Sequence, residues 1–149
     1  MPAYHSSMNE MEVRQVCGCG IYPIKTKIKG PAPVAPEGML DIVDETINFF
    51  RANVLMTNFE VKGPADRLLV YLTLYVHKTL TKCERAANKA DAQKTLHQLA
   101  IEQFALPGDN AFPLGGMIHA PRDAKEKGVC LHEALMRAAS SRTHSRALS

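Results

Sequence analysis

The fold of this chain is decided by residues 68–76, LLVYLTLYV, which are apolar on almost every side of a helix. Surface helices carry an apolar stripe on one face only, so this segment is expected in the interior. Val, Tyr and Thr also favour strands, which leaves a buried strand as the alternative. The sequence continues through residues 77–85 with no helix breaker before Asn88, and this favours a central helix that opens near Pro64.

An amphipathic helix is predicted upstream, over about residues 40–57, because apolar residues recur there at three- and four-residue steps. Similar periodicity predicts a third helix from Asp91 to Phe104, and a last helix is predicted from about Val129 to Ala139. Acidic Asp44 and Glu45 are expected to be exposed to solvent near the start of this helix. The predicted core comprises Val43, Ile47, Phe50, Val54, Leu68, Leu72, Tyr75, Leu96 and Leu99.

Residues 1–38 are rich in proline and glycine, which remove backbone donors and prevent a long helix. Apolar side chains such as Ile24 are expected to pin this arm onto a neighbouring surface. We therefore predict an extended N-terminal arm at 1–38, a helical domain at 39–139 and a polar, disordered tail at 140–149. The predicted fold class is all-α, with about four helices.

Composition excludes several classes of protein. A chain of 149 residues with 46% hydrophobic and 22% charged residues is typical of one globular domain. The formal charge of +3 is small and diffuse, which argues against nucleic acid as a partner. No apolar run approaches the roughly 20 residues of a membrane span, and reduced thiols in a cytosolic protein are expected because no secretory signal is apparent.

Cysteine spacing argues against a metal site. Cys17-Gly18-Cys19 supplies two soft ligands, but a tetrahedral zinc site needs two more, and Cys83 and Cys130 are isolated. The favoured interpretation is a tight turn with small apolar side chains, and no metal or cofactor is predicted.

Catalytic motifs are not recognisable either. The six histidines are scattered singly, with no serine or cysteine nucleophile in an activating context. Gly115-Gly116 lacks the Lys and Ser/Thr of a phosphate loop. We predict that the chain is not an enzyme, and a metal-dependent or thiol enzyme remains a weaker alternative.

Residues 30–36, GPAPVAP, have two possible functions. Prolines at this spacing could act as a polyproline II ligand for an aromatic groove. A stiff spacer leading into the first helix is the favoured interpretation. A ligand must be exposed, whereas a spacer can be covered.

Several blocks of sequence resemble subunit 3 of the actin-related protein 2/3 complex. They lie at residues 1–7 (MPAYHSS), 29–54 and 65–76, with a weaker block at 106–114. The resemblance implies a helical, non-catalytic structural subunit that supports nucleation of branched actin filaments in the cytoplasm and cytoskeleton. The implied partners are actin-related proteins, other subunits and, through the complex, the actin filament.

Candidate partner contacts are taken from these blocks. They are Tyr4, His5, Lys29, Pro31, Pro33, Phe112 and Pro113. The chain departs from the family pattern at residues 13–20 and beyond about residue 128, and it lacks the paired tryptophans of the longer family tail. The alternative function is a free-standing helical adaptor that presents its proline-rich arm to a groove-type domain.

Overall fold

A computed structural model describes residues 3–26, 30–55, 58–102, 105 and 107–129. Within these residues the fold is mostly helical, with one small two-stranded sheet. The elements in chain order are β1 (Gln15–Val16), β2 (Cys19–Gly20), α1 (Ile42–Asn53), α2 (Pro64–Cys83), α3 (Lys89–Ile101) and α4 (Ala124–Val129).

Helix α2 is the central element, and α1, α3 and the β1–β2 hairpin all contact it. The predicted central helix is confirmed, and the alternative of a buried strand is wrong. Pro64 occupies the first turn after Gly63, where its missing N–H costs no hydrogen bond. Leu68 and Leu72 are buried, but Leu74 is 41% exposed, so the helix is not buried on every side.

Helix α1 is shorter than predicted because side-chain caps determine where it starts. The Asp41 carboxylate accepts the N–H groups of Val43 and Asp44, while Asp44 accepts the Asp41 N–H, which completes a capping box. Leu40 therefore lies outside the helix and is 61% exposed. The last residues of the predicted range, 56–57, lie outside the described part of the chain.

The buried face of α1 differs from the apolar face expected from periodicity. Its buried residues are Ile42, Val43, Glu45, Thr46 and Asn53. Ile47, Phe50 and Val54 of the predicted core are only partly buried. The face is rotated because polar side chains of α1 turn inward to bind the N-terminal segment, as described below.

Helix α3 begins two residues earlier than expected. Asn88 caps it by accepting the Asp91 N–H at 2.9 Å, so the residue expected to break the central helix instead starts the next one. Leu96 and Leu99 of the predicted core are buried. The predicted last residue, Phe104, lies outside the described residues.

The β-hairpin at residues 15–20 corrects the all-α prediction. Its antiparallel register pairs Gln15 with Gly20 and Val16 with Cys19. Cys17 (φ 54°) and Gly18 (φ 81°) are both left-handed, as a two-residue type I′ turn requires. The segment before α1 therefore bends back on itself and does not form a single extended arm.

The C-terminal part also differs from the prediction. Helix α4 (Ala124–Val129) lies where no helix was predicted, and the described residues stop at Val129, where the predicted last helix begins. The rest of that helix and the predicted tail at 140–149 lie outside the described residues.

One apolar core joins the residues that precede α1 to the helices. Tyr22 and Ile24 are buried in the same cluster as Leu68 and Leu72. The proline-rich segment is tied to it, because Ile24 N–H donates to Pro33 O at 3.0 Å and Ala35 N–H donates to Ile24 O at 2.9 Å. The proline-rich segment is thus held by backbone hydrogen bonds as well as by burial.

Candidate subunit interface

The N-terminal segment (residues 4–9) is bound to α1 through Glu45. The carboxylate accepts Ser6 Oγ–H at 2.5 Å, Ser7 N–H at 2.8 Å and Ser7 Oγ–H at 2.6 Å. Glu45 is buried, so the expected solvated position for this residue is wrong. A buried carboxylate is tolerated here because three donors satisfy its oxygens.

The same segment is bound to α2 through Asp66, whose side chain is fully buried. Asp66 accepts His5 Nδ1 at 2.7 Å, Ser6 N–H at 2.8 Å and Lys62 N–H at 3.0 Å. Burial by itself raises the pKa of Asp66, but these hydrogen bonds outweigh it and hold the pKa below its ordinary value. Asp66 is therefore an ionised anchor near neutral pH.

Tyr4 is the third attachment of the N-terminal segment. Its N–H donates to Asn53 Oδ1 at 3.1 Å, and Asn53 Nδ2 donates to Tyr4 O at 3.0 Å. The ring stacks on Phe49 with centroids 5.1 Å apart. We call the contacts of residues 4–9 with Glu45, Asn53 and Asp66 the N-terminal clamp.

The hairpin turn is held in a similar way. Arg67 Nη1 donates to Gly18 O at 3.0 Å, and His119 N–H donates to Cys17 O at 3.0 Å. Glu126 accepts Cys17 N–H at 3.0 Å and also the N–H of Arg122, and these bonds lower the pKa of Glu126. The Cys17-Gly18-Cys19 turn is therefore a fixed part of the fold, with both thiols buried.

In contrast to these satisfied polar groups, one face of α2 exposes apolar side chains. Leu74 stands between two apolar grooves of about 270 and 280 Å³ and lines both. The first groove is lined by Tyr71, Leu74, Tyr75, Lys78, Ala105, Ala111, Phe112 and Pro113. The second is lined by Asn53, Val54, Phe59, Val70, Thr73, Leu74 and His77. We call this surface the Leu74 face.

An exposed apolar ridge between two grooves suits a protein partner. Val70, Leu74 and His77 recur at helical spacing and so form one stripe. Lys78 and His77 are the basic side chains that line the two grooves, and no acidic side chain lines either of them. The arrangement can bury apolar side chains of a neighbour, and it offers no cluster for acid and base chemistry.

The predicted partner contacts fall into different environments. Tyr4 and His5 belong to the clamp and contact this chain, although Tyr4 remains 47% exposed. Phe112 is buried against Tyr71, with ring centroids 5.9 Å apart, and Pro113 is exposed at the rim of the first groove. Pro31 and Pro33 are exposed on the surface, and Lys29 lies outside the described residues.

Sequence reasoning missed the inward-facing polar residues Glu45, Asn53 and Asp66. The available signal was the polar N-terminus itself, since Ser6 and Ser7 need partners when their segment docks on a core. It also missed Leu74 as a surface residue, because an apolar run does not show which of its positions a neighbour leaves uncovered.

The described part of the chain shows no metal site, no membrane-spanning helix and no activated thiol at Cys83. Residues 3–129, apart from the gaps given above, contain no group of three or more His, Cys, Asp and Glu placed to hold a metal ion. Over the same residues, no helix has the length and apolar character needed to cross a membrane. Burial raises the pKa of the Cys83 thiol, which disfavours the reactive thiolate there.

A small helical protein with satisfied polar anchors and an uncovered apolar helix face belongs to the class of protein-binding modules. The chain is a member of the ARP2/3 complex ARPC3 (21 kDa) subunit family, P21-Arc, whose model matches residues 1–146. The family match thus continues past about residue 128, beyond which the sequence was expected to depart from the family pattern.

Curated relatives show the same likeness. "Actin-related protein 2/3 complex subunit 3" of Arabidopsis thaliana is 45% identical over 124 residues, which cover 83% of this chain and 71% of the relative. The protein of that name from Dictyostelium discoideum is 49% identical over 127 residues, covering 83% and 72%. The one from Schizosaccharomyces pombe is 44% identical over 130 residues, covering 87% and 74%.

Proposed function

We propose that this chain is a structural, non-catalytic subunit of the actin-related protein 2/3 complex and supports nucleation of branched actin filaments. Family membership and the printed names of its relatives support this function. The proposed partners are actin-related proteins and other subunits of the complex, with the actin filament contacted through the assembly. The proposed location is the actin cytoskeleton in the cytoplasm.

The observation that carries this proposal is the Leu74 face. Leu74 is 41% exposed near the middle of the central helix, although its neighbours Thr73 and Tyr75 are buried. A contiguous apolar surface that is exposed in the isolated chain is typical of a site that binds another protein. A neighbouring subunit that inserts apolar side chains into the two grooves would cover the ridge and hold this chain in the assembly.

The residues taken from the family-like blocks remain proposed contacts with partners, and they differ in their exposure and in their distance from the grooves of the Leu74 face. Pro113 is favoured because it is exposed and lines the first groove. Tyr4, Pro31 and Pro33 are available at the surface, whereas His5 and Phe112 would act by supporting neighbouring residues. Lys29 and the division into arm, helical domain and tail remain predictions.

The alternative of a free-standing adaptor is not favoured. A polyproline ligand presents its backbone carbonyls and prolines to a groove, but here Pro33 O accepts Ile24 N–H and Ala32 and Ala35 are buried. The proline-rich segment is therefore partly committed to this chain's own fold. Family membership also argues for the assembly over an isolated adaptor.

Affinity purification of the full chain tests the proposed function. Leu74→Asp places a charge on the ridge and should abolish co-purification of the two actin-related proteins, while the variant stays folded with only a modest loss of melting temperature. Leu40→Asp is the matched control, because Leu40 is 61% exposed, lines neither groove and is not among the proposed contacts. Retention of the partners by Leu74→Asp would contradict the proposed interface, and their absence with the unaltered chain would contradict the function itself.

A further inference from the structure

The two serines of the N-terminal clamp differ in their access to solvent. Ser7 is exposed, yet its hydroxyl donates to Glu45 at 2.6 Å. Ser6 is buried, and its hydroxyl also donates to Glu45 and accepts Met8 N–H at 3.1 Å. Ser7 is therefore open to solvent as a residue, while Ser6 is enclosed by the fold.

Acidic residues follow Ser7 at close spacing. Glu10 lies three residues after it and Glu12 five residues after it, and both are exposed. A protein kinase with basic subsites recognises carboxylates placed just beyond the acceptor serine, since the charges are complementary. Ser7 thus combines exposure with the charge pattern that this class of kinase requires.

We propose that Ser7 is a phosphorylation site and that its phosphorylation opens the N-terminal clamp. The phosphoryl donor is ATP: Ser7 Oγ forms a bond to the γ-phosphorus, the bond between that phosphorus and the β,γ-bridging oxygen breaks, and ADP leaves. The hydroxyl proton passes to the catalytic base of the kinase. The product is phosphoserine at position 7 and no redox change occurs.

Electrostatics explain why the modification would open the clamp. A phosphoserine carries a charge of about −2 near neutral pH and has no hydroxyl proton to donate to Glu45. The Glu45 carboxylate lies 2.6 Å from the unmodified Ser7 oxygen, so two anions would meet in a partly buried site. Asp66 accepts the N–H of Ser6, the residue next to Ser7, which adds a second carboxylate to the same region.

Opening would affect the whole segment because its contacts share one backbone. Ser7 N–H and both serine hydroxyls bind Glu45, while Ser6 N–H binds Asp66 and Tyr4 N–H binds Asn53. The amide hydrogens of Tyr4, Ser6 and Ser7 therefore report on the state of the clamp. Their exchange with solvent should accelerate together when the phosphate is added.

The modification is tested by treating the folded full chain with ATP and a purified acidic-directed serine kinase, followed by peptide mass spectrometry. We expect phosphate on Ser7 and none on Ser6, and we expect Ser7→Ala to remove the label. Glu10→Gln should slow the labelling of Ser7. Absence of label on Ser7, or labelling of Ser6 in preference, would overturn the proposed site.

The opening is tested by hydrogen exchange on four variants of the full chain. Ser7→Asp introduces a charge, and Ser7→Asn is its neutral match in size. We expect amide exchange in residues 4–7 to be faster in Ser7→Asp than in Ser7→Asn by about tenfold or more, because charge repulsion acts in addition to the lost hydroxyl. The two double variants, in which Glu45→Gln is added to Ser7→Asp and to Ser7→Asn, should differ much less from each other.

Two results would contradict the opening mechanism. Equal exchange in Ser7→Asp and Ser7→Asn would show that charge at position 7 does not act on the clamp. A difference that persists in the Glu45→Gln background would show that Glu45 is not the group that repels the charge. Exchange in the phosphorylated wild-type chain gives a further readout that needs no substitution.

Discussion

His5 Nδ1 lies 2.7 Å from Asp66 Oδ2, and this pair joins residues that are 61 positions apart in the sequence. The contact places the fifth residue of the chain against the first turn of the central helix. Ser6 N–H and Lys62 N–H donate to the same carboxylate, so a single buried side chain fixes both the N-terminal segment and the loop before α2.

Asp66→Asn should destabilise the fold by about 2 to 4 kcal/mol. The Asn side chain carries an NH₂ group, and this would face the N–H groups of Ser6 and Lys62 that now donate to the Asp66 carboxylate. The measurement is the free energy of unfolding in urea. Asp91→Asn is the matched control, since Asp91 lies in the first turn of α3 and is exposed, and it should cost less than about 1 kcal/mol. Equal costs at the two positions would contradict the role of Asp66 as a buried anchor.

Stability should fall in acid because of Asp66. Its folded pKa is held below its ordinary value of 3.8, so the unfolded chain binds the proton more readily. The stabilisation is fully present above the ordinary pKa and is lost as the pH falls through the lower folded pKa. Urea unfolding measured from about pH 7 to about pH 3 should show a steeper loss for the wild type than for Asp66→Asn. Parallel curves would contradict this assignment.

Leu72→Ala should cost about 2 to 5 kcal/mol, because it removes a buried side chain and leaves a cavity. Leu74→Ala, two residues further along the same helix, is the matched comparison and should cost less, since Leu74 is partly exposed. Thermal unfolding of the two variants measures the difference. If Leu74→Ala proved as destabilising as Leu72→Ala, the Leu74 face would be part of the core and not an interface.

Gly20→Ala and Gly38→Ala should both destabilise the chain, but for different reasons. A Cβ at Gly20 would lie 2.6 Å from Cζ of the buried Tyr22 ring, an overlap that costs about 1 to 3 kcal/mol. Gly38 has φ +82° and open space around it, so alanine there costs about 1 to 2 kcal/mol through backbone strain alone.

Asparagine distinguishes these two causes. Asn tolerates the left-handed backbone, so Gly38→Asn should recover much of the stability lost in Gly38→Ala. At Gly20 the larger side chain should cost more than alanine does. Chemical denaturation of the four variants gives the comparison, and a gain from asparagine at position 20 would contradict the packing argument.

The main helices could be predicted from the sequence because their signals are local. Apolar spacing and the first-turn proline placed α2, and the same periodicity placed α1 and α3 to within a few residues. Helical hydrogen bonds join residues four positions apart, so periodicity and caps within one segment predict them. The family resemblance came from ordered blocks of the same local sequence and was confirmed by the family match.

The path of the N-terminal segment and the exposure of the helix faces could not be predicted from the sequence, because they depend on contacts made in three dimensions. The hairpin at 15–20, the burial of Glu45 and Asp66 and the exposure of Leu74 all depend on residues far away in the chain. Periodicity identifies an apolar or a polar position but does not identify its partner. From the sequence alone, a carboxylate in the first turn of a helix is expected to be exposed to solvent. Whether it is instead buried depends on hydrogen-bond donors from distant residues, which are brought to it by packing in three dimensions.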